Sequence, residues 1–575
     1  MNNKEIAKVF EDIGGLLELK GENVFKIRAY QKVARTIEQL SVELDLLVKE
    51  GRLKEVPGVG EAIEKKITEL LDTGKLEYYE KLKAEFPAGI STLLDVPGIG
   101  PKTAMLLTSD LGVETIEDLE KAILDGRVAK LPRMGEKTSE NILKRIRDLR
   151  SKDRRILLGE AMNVIDGVME GMKGVPGLRN LIAAGSVRRF RETVGDIDMM
   201  GTADDPRAVI DAFVSLPAIR SVLGKGTTKA SVLVSSGLQV DLRIVEHEAF
   251  GSLLQHFTGS KQHNVNLRER ERRHGLSLSE YGITDIETGR LEKFATEEAF
   301  YGRLGLQYIP PEIREGTEEI ERAARGTIPR LIEEADIKGD LHVHSNWTDG
   351  RESIETMVRA AKDLGYEYVC IADHSVARGI ARGLNQERLA QQLAEIEAVR
   401  QKVGGISVLT GLEVDIRSDG TLDLPDEVLE KLDVVTGSIH SGMNQSREQM
   451  TDRIVRAMEN PNMDIVGHPT GRLMPKRDPV DLDMEAVFEA AARTKTVLEI
   501  NSMPDRLDLK DTHVQRAREL GVMMAINTDS HSPDHFGLLR FGVGVARRGW
   551  CEPKHILNTK PLGELMECLK TRRKP

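Results

Sequence analysis

Cysteine is nearly absent, with 3 in 575 residues, at positions 370, 551 and 568. So few, so scattered, exclude a disulfide framework and a CxxC zinc site, and point to a reducing compartment, the cytoplasm. No apolar run approaches the roughly 20 residues that span a bilayer, so no membrane partner is expected. The first residues, MNNKEIAKVFEDIGG, carry acids where a signal peptide needs an apolar stretch. An excess of positive charge is also missing. Asp and Glu number 93 against 82 Lys and Arg, a net charge of −11. That excludes a uniformly basic nucleic-acid binder but leaves room for a local basic surface. No low-complexity tract occurs. Histidine is missing before His247, whereas nine of the 13 follow residue 340. The asymmetry marks a separate C-terminal module whose chemistry uses imidazole.

The length suggests about three to five domains. Amphipathic helical patterns open the chain (IAKVFEDIGGLLEL, FKIRAYQKVARTIEQL). Two near-identical turns follow, VPGVG at 56–60 and VPGIG at 96–100. A relative, LPRMG at 131–135, has Arg133 in place of the first glycine. Recurrence every 35–40 residues, roughly, reads as a repeat of helix, tight turn and helix. From about residue 178 short apolar runs (LIAAGS, DIDMMGTA, SVLVSS, LQVDLRIV) indicate strands of an antiparallel or mixed sheet. Residues 316–335 read as a charged, helical connection. From Lys338 strand and helix alternate to the end, the rhythm of an α/β barrel with polar residues at the strand C-termini.

In the two turns Gly58, Gly60, Gly98 and Gly100 let the backbone come close to a partner. The amides of the next helix then point outward and can hold phosphate. With Lys65, Lys66 and Lys102 on the helices that follow, the repeat fits sequence-independent grip on a nucleic-acid backbone.

The segment AAGSVRRFRETVGDIDMM sets Gly-Ser and two arginines ahead of Asp196 and Asp198. Residues i and i+2 of a strand share a face, and Asp241 in LQVDLRIV completes a set of three. Three clustered carboxylates need cations, and oxygen-only ligands favour Mg²⁺ or Mn²⁺. Two such ions can align a 3′-hydroxyl with a nucleoside triphosphate.

A second centre is written in histidine. GDLHVHSNWTDG holds His342, His344 and Asp349. His374, Glu413, His440, His468, Asp529 and His531 follow at the ends of successive expected strands. Mixed nitrogen and oxygen ligation suits Mn²⁺, Zn²⁺ or Fe²⁺. Nine ligands suffice for three ions with Glu413 as a bridge. Such a cluster makes hydroxide near neutral pH, so phosphoester hydrolysis is the expected chemistry. Arg472, in GHPTGR, is a phosphate ligand or a structural salt-bridge partner. His513, His535 and His555 match no motif and are expected at the surface.

These motifs resemble known families. The glycine turns look like helix-hairpin-helix motifs. Residues 1–315 resemble family X DNA polymerases, and 336–575 resemble the PHP (polymerase and histidinol phosphatase) domain. The resemblance implies a multidomain chain: a helical DNA-binding, lyase-like domain at 1–90 and a helical fingers-type domain at 91–150. An α+β nucleotidyltransferase palm follows at 151–245, a thumb at 246–315, a linker at 316–335, and an α/β distorted-barrel PHP domain at 336–575. It implies that Asp196 and Asp198 bind both polymerase metals and that Asp241 binds the catalytic one. Ser186, Arg189 and Gly195, with Arg155, contact the triphosphate. Phe257, Gly259 and Asn264 in HFTGSKQHNVNLR shape the nucleotide pocket, and Arg268 faces the template. His256 stands where the family carries tyrosine. Lys66 falls at the position of a Schiff-base nucleophile for 5′-deoxyribose phosphate, with Lys65 a candidate neighbour to lower its pKa. Lys26 falls at a 5′-phosphate contact, and Ala62 replaces another phosphate-binding lysine.

The implied function is a gap-filling repair polymerase joined to a metal-dependent 3′→5′ exonuclease, extended to abasic-site cleavage and 3′-phosphate removal. Gapped or nicked DNA and deoxynucleoside triphosphates are the expected partners, and the chain is expected to be a monomer. Two other readings stay open: a PHP centre acting on small phosphorylated molecules, and a non-catalytic DNA-binding scaffold.

Overall fold

The computed structural model describes residues 3–38, 40, 44–49, 51–86, 90, 93, 96, 99, 101–131, 134–135, 138–139, 142–143, 146, 155–376 and 381–573. It divides into two compact units, 1–154 and 155–575.

The first unit is helical. Its helices include Asn3–Leu19, Val24–Glu38, Glu61–Thr73, Glu77–Ala84, Pro101–Leu111 and Ile116–Leu124. Apolar residues at helical spacing, among them Ile6, Phe10, Ile13 and Leu17, bury one stripe of each helix. A single apolar cluster runs from Ile6 to Ile146, through both expected helical domains.

The second unit opens with the expected palm. Two short strands, β1 (Ile156–Leu157) and β3 (Thr193–Val194), pair with each other. Beside them lies a five-stranded sheet of β2 (Leu178–Ala183), β4 (Ile197–Ala203), β5 (Ile219–Lys225), β6 (Lys229–Val234) and β7 (Gln239–Val245), in the order β2-β4-β7-β6-β5. Strand β7 alternates strictly. Val240, Leu242 and Ile244 are buried, and the residues between them are half-exposed. That is the period-2 pattern of a sheet with one face on the core. Strands β4 and β7 run parallel, with Asp198 opposite Asp241.

The thumb adds a small antiparallel sheet, β8 (Leu276–Ser279), β9 (Gly282–Asp285) and β10 (Leu291–Glu292). The segment at 316–335 is not a bare connection. Its helix Glu319–Ala324 and the residues after it put Ile320, Ala323, Ile328 and Leu331 into the same cluster as Leu267, Phe300 and Tyr301 of the thumb.

Seven parallel strands then follow in chain order: β11 (Gly339–Val343), β12 (Tyr368–Ile371), β13 (Ser407–Asp415), β14 (Val434–Ser438), β15 (Ile465–Val466), β16 (Val497–Asn501) and β17 (Met524–Asn527). A parallel bridge between Val343 and Ser530 brings the last strand back to the first, so the barrel is nearly closed. One end of the barrel is apolar. Leu341, Tyr368, Cys370, Leu409, Val434, Ile465, Val497 and Ala525 cluster there with Leu565 and Leu569 of the terminal helix Leu562–Arg573. Two-residue alternation carries the same inward face from Leu409 to Glu413, from Val497 to Glu499 and from Ala525 to Asp529, so each strand turns polar as it nears its C-terminal end.

Palm, thumb and barrel pack as one body. The barrel's helix Leu539–Arg548 lies on the palm loop so closely that a Cβ at Gly544 would fall 2.1 Å from Phe190 Cδ1. At its end the buried Arg548 donates to the Arg189 carbonyl at 2.7 Å, to Glu315 of the thumb at 2.8 Å and to Asp511 at 2.8 Å. Removing this guanidinium would leave Asp511 without its ion-pair partner and Glu315 with Arg189 at 3.2 Å and Arg191 at 4.0 Å.

Candidate active sites

In the palm, the β4–β7 register sets Asp198 and Asp241 side by side, and Asp196 precedes β4 by one residue. Burial, then Asp196 and Asp241 nearby, pushes the Asp198 carboxyl up to about 6. The three carboxylates therefore act on one another electrostatically, an arrangement that divalent ions relieve. Asp241 accepts from Gln239 Nε2 at 2.9 Å, and Lys229 Nζ lies 3.8 Å away.

Around the carboxylates, Ser186 lies half-buried in the helical turn Gly185–Arg188. Gly195 faces Arg155, whose guanidinium also donates to Thr193 Oγ1 at 2.8 Å. Arg189, expected at a triphosphate, is bound within the fold. It donates to the Thr258 carbonyl at 2.5 Å and to Glu315 at 3.2 Å, and Gly259 lies against its Nη1. Arg243 stacks over Phe257 at 4.7 Å. Asn264 donates to the His256 carbonyl at 2.7 Å, and the exposed Arg268 reaches His256 Nδ1 at 3.1 Å.

In the helical unit, Gly58 takes φ +94° and Gly60 caps helix Glu61–Thr73, so the VPGVG turn delivers that helix's free amides to the surface. Gly98 and Gly100 of the second turn, and the side chain of Lys102, lie outside the described residues. Lys66 is half-buried, with Nζ 4.7 Å from the centre of the Tyr78 ring. Burial, and then the positive charge of Lys26, lower its pKa while Glu69 opposes them. The neighbouring charge is thus Lys26 and not Lys65, which turns outward to pair with Glu61 at 3.1 Å. Helical geometry explains this: consecutive residues point about 100° apart, so Lys65 cannot share the face of Lys66.

The barrel's polar end gathers all nine expected ligands. Glu413 is the hub. Its carboxylate lies 2.7 Å from His374 Nδ1, 3.1 Å from His468 Nε2, 3.2 Å from His440 Nε2 and 3.6 Å from His342 Nε2. His344 Nε2 is 3.1 Å from Asp529, and Asp349 lies 3.2 Å from His374 and 3.5 Å from His531. Three ligand groups with mutually close donor atoms result: His344, Asp349, His374 and His531; His342, His344 and Asp529; His374, Glu413 and His440. His342 Nε2, both ring nitrogens of His344, His374 Nδ1 and both Glu413 oxygens are buried without a hydrogen-bond partner. Convergent lone pairs left unpaired in a buried cluster fit metal ions, which supply Lewis acidity and a bound hydroxide when present. Electrostatics divides the imidazoles. Burial and adjacent His531 push His344 down to about 3, whereas Glu413 and Asp349, against burial, raise His374 to about 10.

Two carboxylates escaped sequence reasoning. Glu499 holds His342 Nδ1 at 2.7 Å, and Asp415 holds His440 Nδ1 at 2.6 Å. Each orients an imidazole so that its Nε2 faces the cluster. Both left a trace: Asp415 stands two residues beyond Glu413 on one strand, and Glu499 interrupts the apolar run VLEI. Arg472 resolves to the structural alternative, pairing with Glu192 of the palm at 2.5 Å and donating to the Arg506 carbonyl at 2.6 Å. His513, His535 and His555 are half-buried, not surface residues. His535 and His555 accept backbone N–H groups from His531 and Glu552, and His513 packs against Phe488.

Family models match separate parts of the chain. The helix-hairpin-helix domain matches residues 1–76, and the SAM-like helix-hairpin-helix tandem matches 90–148. The DNA polymerase beta thumb matches 253–315, and the PHP domain matches 340–503. A protein of Bacillus subtilis (strain 168) named DNA polymerase/3′-5′ exonuclease PolX is 39% identical over 572 residues, covering 99% of this chain and all of its own length. The chain belongs to the family X DNA polymerases that carry a PHP domain. Part of this family X chain is also similar to shorter proteins. One, described as a probable phosphatase of Thermoanaerobacter sp. (strain X514), is 28% identical over 246 residues, which is 41% of this chain and 95% of that protein. Among the described residues no helix is long and apolar enough to cross a membrane.

Proposed function

We propose that this family X polymerase fills short gaps in DNA during repair and trims 3′ ends at its PHP centre. The observation that carries the polymerase reading is the pairing of Asp198 with Asp241 across parallel strands, with Asp196 one residue before β4. Nucleotidyl transfer then uses Mg²⁺ or Mn²⁺ held by these three carboxylates, with Ser186, Gly195 and Arg155 toward the triphosphate. Arg189 acts by fixing the Thr258–Gly259 turn under the pocket that Phe257 and Asn264 line, and Arg268 faces the template. The PHP centre holds Mn²⁺, Zn²⁺ or Fe²⁺ and hydrolyses phosphoesters. Likeness to proteins described as probable phosphatases supports extending it to terminal phosphates and abasic sites. Both centres retain their ligand residues, which disfavours a non-catalytic scaffold. A monomer in the cytoplasm, acting on gapped or nicked DNA, completes the reading.

A labelled primer tests it, placed beside a one-nucleotide gap with a 5′-phosphate or on an open template, with Mg²⁺ or Mn²⁺. Faster extension at the gap, and shortening of the primer when nucleotides are withheld, are expected. Equal rates on both substrates would remove the gap-filling assignment.

Lys66 is proposed as the nucleophile that opens a 5′-deoxyribose phosphate. Lys26 serves there both as a 5′-phosphate contact and as the charge that keeps the Lys66 amine neutral more often. Borohydride trapping of a protein–DNA adduct should increase between about pH 6 and 8, vanish in Lys66→Ala, weaken in Lys26→Ala and persist in Lys65→Ala. Equal trapping by wild type and Lys66→Ala would place the nucleophile elsewhere.

A further inference from the structure

The helix Lys261–Arg272 carries Asn264 and Arg268 on one side and a fully buried histidine, His263, on another. His263 Nδ1 lies 2.7 Å from Glu319 Oε1, and its Nε2 lies 2.9 Å from the Tyr301 hydroxyl. Burial holds the His263 ring below the ordinary imidazole value, against the pull of Glu319. Burial also keeps the Tyr301 hydroxyl protonated. A neutral imidazole has one donor and one acceptor. Nδ1–H therefore donates to the Glu319 carboxylate, and Nε2 accepts from the Tyr301 hydroxyl. Glu319 is itself fully buried and also accepts from Gly316 N at 2.9 Å.

Glu319 belongs to the segment whose sequence reads as a mere connection. In the fold, residues 314–319 run along the first turns of the helix. Ser260 N donates to the Arg314 carbonyl at 2.9 Å, and Asn266 Nδ2 to the Gly316 carbonyl at 3.1 Å. Gly316, at φ +80°, comes so close that a Cβ there would fall 2.5 Å from Gln262 Cγ. At about 100° per residue, Gln262, His263 and Asn266 share one side of the helix, and Asn264 and Arg268 share the opposite one. Holding the first side therefore sets the rotation of the second. Asn264 is then placed to accept from Gln255 Nε2 at 2.9 Å and to donate to the His256 carbonyl.

We propose that Glu319 is a positioning residue for nucleotide addition: through His263 it fixes the rotation of the helix that presents Asn264 and Arg268, and so sets the affinity for the incoming nucleotide. This rests on reading Asn264 as a nucleotide contact. Without the carboxylate, the Nδ1–H of His263 is buried with no acceptor, and the helix relieves that cost by turning or shifting, taking Asn264 with it. The neutral Tyr301 hydroxyl on the far side of the ring cannot replace the lost acceptor, because Nδ1 and Nε2 point in different directions.

The test uses the full chain on a one-nucleotide gap with Mg²⁺, as wild type, Glu319→Ala, Glu319→Gln, Tyr301→Phe and Asn264→Ala. The KM for the deoxynucleoside triphosphate, kcat, thermal unfolding and primer shortening without nucleotides are measured. Glu319→Ala should raise KM by roughly 5–100-fold, the range for stranding a buried donor, with a smaller change in kcat. Glu319→Gln should return KM to near the wild-type value, because its amide oxygen still accepts from His263 and Gly316. Tyr301→Phe loses one hydroxyl and keeps its ring packing, so it should raise KM by a smaller factor, and it decides the matter if Glu319→Ala does not fold. Shortening should stay at the wild-type rate throughout. A purely structural role lowers the amount of active protein, so an unchanged KM with kcat falling in step with stability overturns the proposal. KM raised as much in Glu319→Gln as in Glu319→Ala also overturns it, since charge and not the hydrogen bond would then matter. A wild-type KM in Asn264→Ala would instead overturn the reading of Asn264 as a nucleotide contact.

Discussion

Asp241→Ala should lower nucleotide addition by roughly 10²–10⁴-fold or more, the range lost with a group that organises proton transfer in the transition state. The substitution is unusually clean. Asp241 lies on the face of β7 opposite the core residues Val240, Leu242 and Ile244, so removing its carboxylate leaves the packing untouched. Its direct partners are Gln239 and Lys229, both free to turn to water. The negative charge that helps raise the Asp198 pKa also disappears, so Asp198 should ionise more readily while the metal site loses a ligand. DNA affinity should stay near wild type, because the helix-hairpin-helix region belongs to the other unit. Primer extension and DNA binding measured on the same preparation check this. Extension at the wild-type rate would mean that the carboxylate pairing across β4 and β7 is not the polymerase centre.

His342→Ala combined with His344→Ala should remove bound transition metal and cut 3′-end shortening by more than about 100-fold, since even loss of a residue behind a ligand typically costs 10–100-fold. The two imidazoles contribute to two of the three ligand groups, and their loss also leaves Glu499 buried without its main partner. That second effect strains the barrel, and polymerisation reports on it. The barrel helix ending at Arg548 supports the palm loop through the Arg189 carbonyl and Glu315, so a collapsed barrel would lower extension as well. Retained extension with lost metal and lost shortening is the expected pattern. The milder His344→Asn, which spares the His342–Glu499 pair, should give the same pattern with a partial loss of metal. Undiminished metal in the double variant would sink the cluster.

Much of both sites was legible because the relevant signals are local. Asp196 and Asp198 stand two residues apart, and β7 alternates so strictly that Asp241 could only face away from Val240 and Leu242. The nine ligands sit at or just after the ends of short apolar runs, and a parallel barrel brings all its strand C-termini to one end. Identity, spacing and element type therefore sufficed to pick out the residues that the barrel brings together. Glu499 and Asp415 were half-legible, as carboxylates in apolar strands, but their service to particular histidines was not.

What only the tertiary structure decided are the pairings between distant parts of the chain. Arg472 meets Glu192 across 280 residues and Arg548 meets the Arg189 carbonyl across 359. Nothing near either arginine indicates whether it faces phosphate or protein. The same holds for Arg506 beside Asp529, for Lys26 instead of Lys65 as the charge acting on Lys66, and for residues 316–335, whose charged pattern hid four apolar residues packed into the thumb. The sequence by itself determined which residues are candidates for chemistry and on what kind of element they stand, because strand alternation, helical pitch and turn stereochemistry act over a few residues. Which cation neutralises which carboxylate depends on distances of a few ångströms between elements far apart in the chain, and those distances exist only after the layers have packed.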